Sequence, residues 1–365
     1  MALSTLTLRR WHRRFALVLG LFFILQGVTG AIAQQRFWLL QATNPALYRA
    51  DGAGPPAPPG DILADIARER PGFQVAHMMY PAAVSPRTAI VVMGGRDPGK
   101  FDMSRMVMVN QFQNKVITEQ SASAGWIGLA SVLHRWLIFG TPGKIILTIL
   151  GAGVVIFSAL GIVIWFRTRQ TSRNAKGVVK FHRTAGIVAG LFIISVAGTG
   201  TALNLYTWAE KASGRSVFKS NMQMTPAHSG MAMKPAVDAN TAYSTAQKAV
   251  GNLHMIAFGP AGPHAVNYWF AFMDPQLRRT DVLVDPATGK LVGIYPTGLT
   301  SGGGGVRAWL FPVHSGFVIG PIGGVIYSVI GISVSLWVAT GFVMWRRGRR
   351  RGRPSRKPAS VPAAA

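Results

Sequence analysis

Apolar residues gather in four long stretches, Phe15–Ala33, Ile145–Phe166, Gly186–Leu205 and Pro321–Trp345. Each comes close to the roughly 20 residues a helix needs to cross a bilayer. Two segments of about 110 mixed residues separate the first stretch from the second and the third from the fourth; only 17 residues, 167–183, join the second to the third. The long segments alternate differently. DILADIARER (61–70) follows a Pro-rich linker and predicts a short helix. Strand-like runs fall at Thr88–Met93, Met106–Phe112, Tyr268–Phe272 and Asp281–Val284. DVLVDPATGKLVGIY predicts two strands around an Asp-Pro-Ala-Thr-Gly turn, and MVMVNQFQNKVI has the same shape, with Lys115 after its polar turn.

These patterns predict a membrane α-helical bundle of four transmembrane helices with two outer α+β domains. The expected division is 1–36 (N-terminus and first span), 37–125 (first outer domain), 126–166 (interfacial segment and second span) and 167–183 (short loop). It continues with 184–207 (third span), 208–306 (second outer domain), 307–345 (interfacial segment and fourth span) and 346–365 (basic tail). The first stretch also fits a secretory leader with a small-residue site at Ala31-Ile32-Ala33. Its length and its place in the repeat below argue for retention.

Charge sets the orientation. Only 14% of the chain is charged, against about a quarter in soluble domains. Of the 38 basic residues, 18 lie in residues 1–14, 167–183 and 346–357, where no acid occurs. The positive-inside rule therefore puts both termini and the short loop in the cytosol and the long segments in the periplasm of a bacterial inner membrane. The net charge of +26 and the tail RRGRRRGRPSRK then belong to orientation and lipid contact, not to nucleic acid. With no cysteine, disulfides and thiolate-held metals are excluded.

The spans repeat. At an offset of 170, His12/His182, Arg13/Arg183, Gly20/Gly190, Thr29/Thr199 and Gly30/Gly200 coincide; at 180, His134/His314, Gly140/Gly320, Gly143/Gly323, Gly151/Gly331, Gly161/Gly341 and Trp165/Trp345 do. Each unit thus carries one histidine at the inner end of its first span and another on the outer side before its second. A single histidine at a membrane border is an ordinary interfacial side chain, but four at repeat-equivalent places favour ligation. Counting 100° per residue puts Leu19, Phe23, Gln26, Thr29 and Gly30 on the face of His12. Ala189, Ile193, Val196, Thr199 and Gly200 share the face of His182. The small residues leave room for a flat macrocycle, or for ordinary helix packing. The outer pair lies about ten residues before the spans, where Pro142 and Pro321 should bend the chain, so short interfacial helices are expected there.

The HRR and HRT span starts, the two His-to-Gly openings before the second and fourth spans, and the VDPATGKLVG hairpin resemble the PepSY-associated transmembrane family over nearly the whole chain. The resemblance implies an inner-membrane oxidoreductase that reduces a periplasmic ferric siderophore and releases iron. It implies haem b, two per chain, with His12 and His182 as axial ligands of an inner haem and His134 and His314 of an outer one. No nucleotide-binding fingerprint or cytosolic domain is present, so the electron donor is another molecule, a cytosolic reductase or membrane quinol.

Two rival readings stay open. Met222, Met224, His228, Met231 and Met233 form a soft-donor run suited to copper, or a flexible Met-rich loop. His77 with Met78 and Met79 is a second such cluster. The other rival is a non-enzymatic PepSY sensor or binding protein. His254 and His264 read as packing or surface residues. Trp126, Trp136, Trp208 and Trp309 read as interfacial anchors. Arg278, Arg279 and Arg307 are candidate attractors for an anionic ligand or solvated charges.

Overall fold

The computed structural model describes residues 4–81, 87–97, 103–172, 175–213, 235–262, 265–276, 278–296 and 305–351. Helix α1 (Thr5–Gln34) begins where the Ser4 side chain accepts a hydrogen bond from the Thr7 amide, and ends at Gln35. Two short helices follow, α2 (Arg36–Thr43) and α3 (Pro45–Tyr48). Helix α4 (Pro59–Glu69) opens on a proline at its first position, where the missing amide costs nothing, and carries Asp61 in its first turn and Arg68 in its last. Then come β1 (Gln74–Met79), β2 (Ile90–Gly95), β3 (Arg105–Asn110), β4 (Lys115–Ser121), α5 (Gly125–Trp136), α6 (Thr141–Ser172) and α7 (Gly177–Ser213). The second half has α8 (Ala239–Val250), β5 (His254–Gly259), β6 (Tyr268–Met273), β7 (Arg279–Val284), β8 (Leu291–Pro296), α9 (Gly305–Ser315) and α10 (Pro321–Arg351).

Four helices are long and apolar enough to cross a membrane: α1, α6, α7 and α10. They extend beyond the predicted stretches because their polar ends continue the same helices outside the apolar core. Each packs on two others, in the cyclic order α1, α10, α7, α6. Backbones touch where Gly27 of α1 meets Gly331 of α10; a Cβ at either position would collide with the other's carbonyl. Val18, Leu21, Ile149, Ile156, Val188, Leu191, Val329 and Leu336 point outward, exposed. An exposed belt of that size is tolerable only against lipid. Pro142 and Pro321 sit at the starts of α6 and α10, so these prolines begin helices and do not kink them. The expected short helices before the spans are α5 and α9, packed against α1 and α7 respectively.

The strands form one sheet. Its order is β4-β3-β2-β1-β5-β6-β7-β8, every neighbour antiparallel. In place of two separate outer domains there are two four-stranded meanders joined edge to edge into one sheet through Met78↔Phe258 and Met79↔Ala257. The predicted turn after β7 is present: the Asp285 carboxylate accepts from the Ala287 and Thr288 amides, and Gly289 takes φ +69°, which a side chain would resist. One face of the sheet packs under α4 and α8, where Ile62, Ile66, Ala242 and Ala246 meet Val92, Val107, Phe270 and Val282. The i, i+4 spacing of those helical residues explains the fit. On the opposite face, Val91, Met93, Met106 and Met108 pack with Leu40 of α2, Tyr48 of α3 and Ile127 of α5. That face ties the sheet to the end of α1.

Candidate functional site

Each of the four predicted histidines rests on a glycine of a neighbouring helix. At the sheet end, His134 of α5 lies over Gly30 of α1, and His314 of α9 over Gly200 of α7. A Cβ on Gly30 would stand 2.8 Å from His134 Cε1, and one on Gly200 2.7 Å from His314 Cε1. At the other end, His12 of α1 lies over Gly161 of α6, with a corresponding 2.9 Å, and His182 of α7 beside Gly341 of α10, with 3.4 Å. The small residues Gly30 and Gly200, expected to admit a macrocycle or a helix, admit imidazole rings.

The hydrogen bonds decide the tautomers. His134 Nδ1 lies 3.2 Å from the Gln26 carbonyl, His314 Nδ1 2.8 Å from the Val196 carbonyl and His12 Nδ1 3.3 Å from the Phe157 carbonyl. In all three the carbonyl belongs to the residue four before the glycine, so the missing side chain opens the approach. A carbonyl only accepts, so Nδ1 carries the proton and the neutral ring keeps its lone pair on Nε2. His182 reaches the same state by another route. Its Nδ1 lies 2.9 Å from Thr340 Oγ1, whose own proton goes to the Trp337 carbonyl at 3.0 Å. The hydroxyl has no proton left to offer His182, so it accepts. Trp337 stands 180 residues after Phe157: both units use the same carbonyl, one directly and one through a hydroxyl.

The outer rings approach each other, with centroids 6.1 Å apart and planes inclined by 31°. With a metal–imidazole bond of about 2 Å, two rings on opposite sides of one ion would hold their centres about 6 Å apart. His12 stacks on Phe157 at 4.3 Å, and His182 lies within its electrostatic reach. Along α1 the step from His12 to Gly30 is 18 residues, or about 27 Å at 1.5 Å per residue, close to the hydrocarbon thickness of a bilayer. The four rings therefore form two levels, one near each end of the bundle.

Among the described residues no three His, Asp or Glu side chains come together as a metal cluster. Pairs of neutral imidazoles suit a metal that brings its own equatorial donors, as iron does in a macrocycle. Acceptors that hold the proton on Nδ1 are the usual supports of such ligands. On these observations the outer pair fits a bis-imidazole haem, and the inner pair carries the same hydrogen-bond preparation.

Other predicted residues are placed differently. The run Met222, Met224, His228, Met231 and Met233, together with His264, Arg307's side chain and Trp309's side chain, lies outside the described residues. His77, Met78 and Met79 do not converge. Strand alternation sends Met78 into the core under the helices, while His77 and Met79 take the other face. His77 sits 6.4 Å from the Trp269 ring; burial, then the Arg279 charge, lowers its pKa from 6.5 to about 4. His254 bonds the Pro81 carbonyl through Nε2 at 2.7 Å. Arg278 pairs with Asp274, and Arg279 with Asp281 while lying over Trp269. Trp126 is exposed on α5, and Trp136 lies under Arg135 and Lys144. Sequence reasoning aligned Gly161 with Gly341 without giving them a role, and it passed over Phe157 and Thr340. The signal was the repeat itself: each histidine and the glycine it rests on both recur, one of them at an offset of 170 and the other at 180.

A family model described as the PepSY-associated TM region matches residues 9–351. No curated protein matches the chain.

Proposed function

The chain belongs to the family of the PepSY-associated TM region, and from that premise we propose that it is a dihaem oxidoreductase of a bacterial inner membrane. In this reading it is a tandem repeat whose two PepSY-like sheet halves stand in the periplasm, with both termini in the cytosol. It passes electrons outward to a periplasmic ferric siderophore. The observation that carries the proposal is the common state of the four histidines: Nδ1–H engaged, Nε2 bare, ring seated on a glycine.

Haem b, when bound at the two levels, supplies one-electron chemistry. The chain's own contribution is positioning. Gln26, Val196 and Phe157 carbonyls and the Thr340 hydroxyl orient the imidazoles and fix their tautomers. The apolar packing of Leu19, Phe23, Val154 and Val334 between the levels keeps water and ions out. At the sheet end one electron converts the siderophore's Fe(III) to Fe(II). Hard oxygen chelators hold Fe(II) more weakly, which frees the metal. The electron comes from a cytosolic reductase or a membrane quinol.

The test is optical. Protein purified in detergent from haem-replete cells should show a six-coordinate b-type spectrum that sharpens on dithionite reduction, with two haems per chain by pyridine haemochrome. His182→Ala should lose one haem and stop transmembrane electron flow. A colourless wild-type protein, or full haem content in His182→Ala, ends this reading.

A further inference from the structure

Arg36, the first residue of α2, is a cation out of water without an anion. It is only 9% exposed. Its Nη2 donates to Met106 Sδ at 3.3 Å and to the Ala122 carbonyl, and its Nε is buried with no partner. No carboxylate pairs with it among the described residues. Its guanidinium lies 5.7 Å from the Phe37 ring, and the ionisable groups within its reach are Arg135, a second cation, and Tyr48. A desolvated guanidinium with neutral acceptors and a like charge in reach is costly until an anion completes it. Tying α2 to Ala122 accounts for Nη2. It does not account for the positive charge or for the idle Nε, since a neutral donor would make the same tie at lower cost.

The position of this cation is informative. Arg36 lies six residues beyond Gly30, the seat of His134, and Arg135 directly follows His134 on α5. Arg135 is anchored by Nε to the Ser131 carbonyl at 3.2 Å and lies over Trp136 at 4.7 Å, at the exposed border of the bundle. Arg36 thus lies on the sheet side of the level of the outer histidines, held to Met106 and Ala122, and Arg135 adjoins that level along α5. The architecture does not demand them. At the repeat offsets their counterparts are Tyr206 and Ser315, so only the first unit carries the pair.

We propose that Arg36 and Arg135 form a carboxylate receptor beside the His134–His314 pair, which takes a propionate of the haem bound there. The inference rests on the haem reading above and adds the orientation of the ligand: its carboxylate edge faces the sheet. Charge-assisted, forked guanidinium–carboxylate contacts favour that edge over its esterified form.

The experiment compares haem b with its dimethyl ester on the full-length His12→Ala chain, which leaves the outer pair intact, prepared from haem-deficient cells. Binding is followed by the growth of the six-coordinate spectrum. The chain with both arginines should bind haem b about tenfold or more tightly than the diester, the size expected for hydrogen bonds to charged groups. Arg36→Gln should bring the two affinities together, Arg36→Lys should restore part of the preference, and Arg135→Gln, at an exposed position, should reduce it without threatening the fold. The diester comparison needs no change at Arg36, so it stands even where Arg36→Gln fails to fold. Equal affinity for haem b and the diester in the Arg36-containing chain overturns the receptor while leaving haem binding intact. Preference abolished by added phospholipid headgroup or phosphate assigns the arginines to a phosphate and also overturns it. A chain that binds neither porphyrin overturns the histidine assignment itself.

Discussion

Replacing Gly200 by alanine puts a methyl group 2.7 Å from His314 Cε1 and 3.0 Å from Nδ1. Carbon atoms in contact prefer about 3.5–4.0 Å, so the ring must retreat by about 1 Å. It cannot do so freely, because Nδ1 is held to the Val196 carbonyl at 2.8 Å. Overpacking of this kind costs about 1–3 kcal/mol, and the lost hydrogen bond about 1 kcal/mol more. Against this, alanine gains about 1 kcal/mol over glycine in a helix interior. The balance is a loss of about 1–3 kcal/mol. Gly341→Ala is the control. There the new carbon would meet His182 Cε1 at 3.4 Å, an ordinary contact, so the helix gain of about 1 kcal/mol should survive. Thermal unfolding in detergent should place Gly200→Ala below the wild type and, with haem bound as proposed, alter its outer-site visible spectrum. Gly341→Ala should lie at or above it, with the spectrum unchanged. Equal stability and identical spectra for the two variants would refute the idea that glycine is needed to seat the ring.

Thr340→Val removes the acceptor that holds the His182 proton on Nδ1; ligand affinity at the inner level should fall about 10–100-fold by spectral titration, and Thr340→Ser should recover most of it. His77, half-buried, has its pKa lowered to about 4. The stability it supports is therefore full above pH 6.5 and is lost as the pH falls from 6.5 towards 4, by up to about 3 kcal/mol. His77→Gln should flatten that part of a denaturation-versus-pH curve, and an unchanged slope would contradict the assignment. Glu119, with its side chain 9% exposed, receives Arg70, Arg96 and Arg105 on the helix-covered face of the sheet. Glu119→Gln should cost about 1–3 kcal/mol in urea unfolding, because charge-assisted hydrogen bonds are lost while the three arginines keep contact with solvent.

The spans and the two histidine levels were legible because each rests on a local signal, an apolar run or a residue recurring at a fixed offset. The hairpin at Asp285–Gly289 was legible for the same reason: its turn chemistry is written in five adjacent residues. The strands Gln74–Met79 and His254–Gly259 were not picked out. QVAHMM and HMIAFG carry Gln, Ala, His and Gly in place of the β-branched-rich runs of Ile90–Val92 or Val282–Val284, so neither shows a strand signal. Their mutual pairing, which merges two expected domains into one sheet, is a contact between residues about 180 apart and leaves no local trace. The glycine seats were visible as matched positions, but the sequence could not say that imidazoles occupy them. Arg36 carried no signal at all, since its burial depends on Met106 and Ala122, far along the chain.

The outer rings come from different halves of the chain, His134 from the first and His314 from the second, and they meet 6.1 Å apart. Neither half owns the pair. A protein split within residues 173–174 and expressed as two fragments would regain this centre only where the fragments dock in register. With haem bound there as proposed, its absorption band would then act as a built-in gauge of assembly, readable in intact membranes without a label.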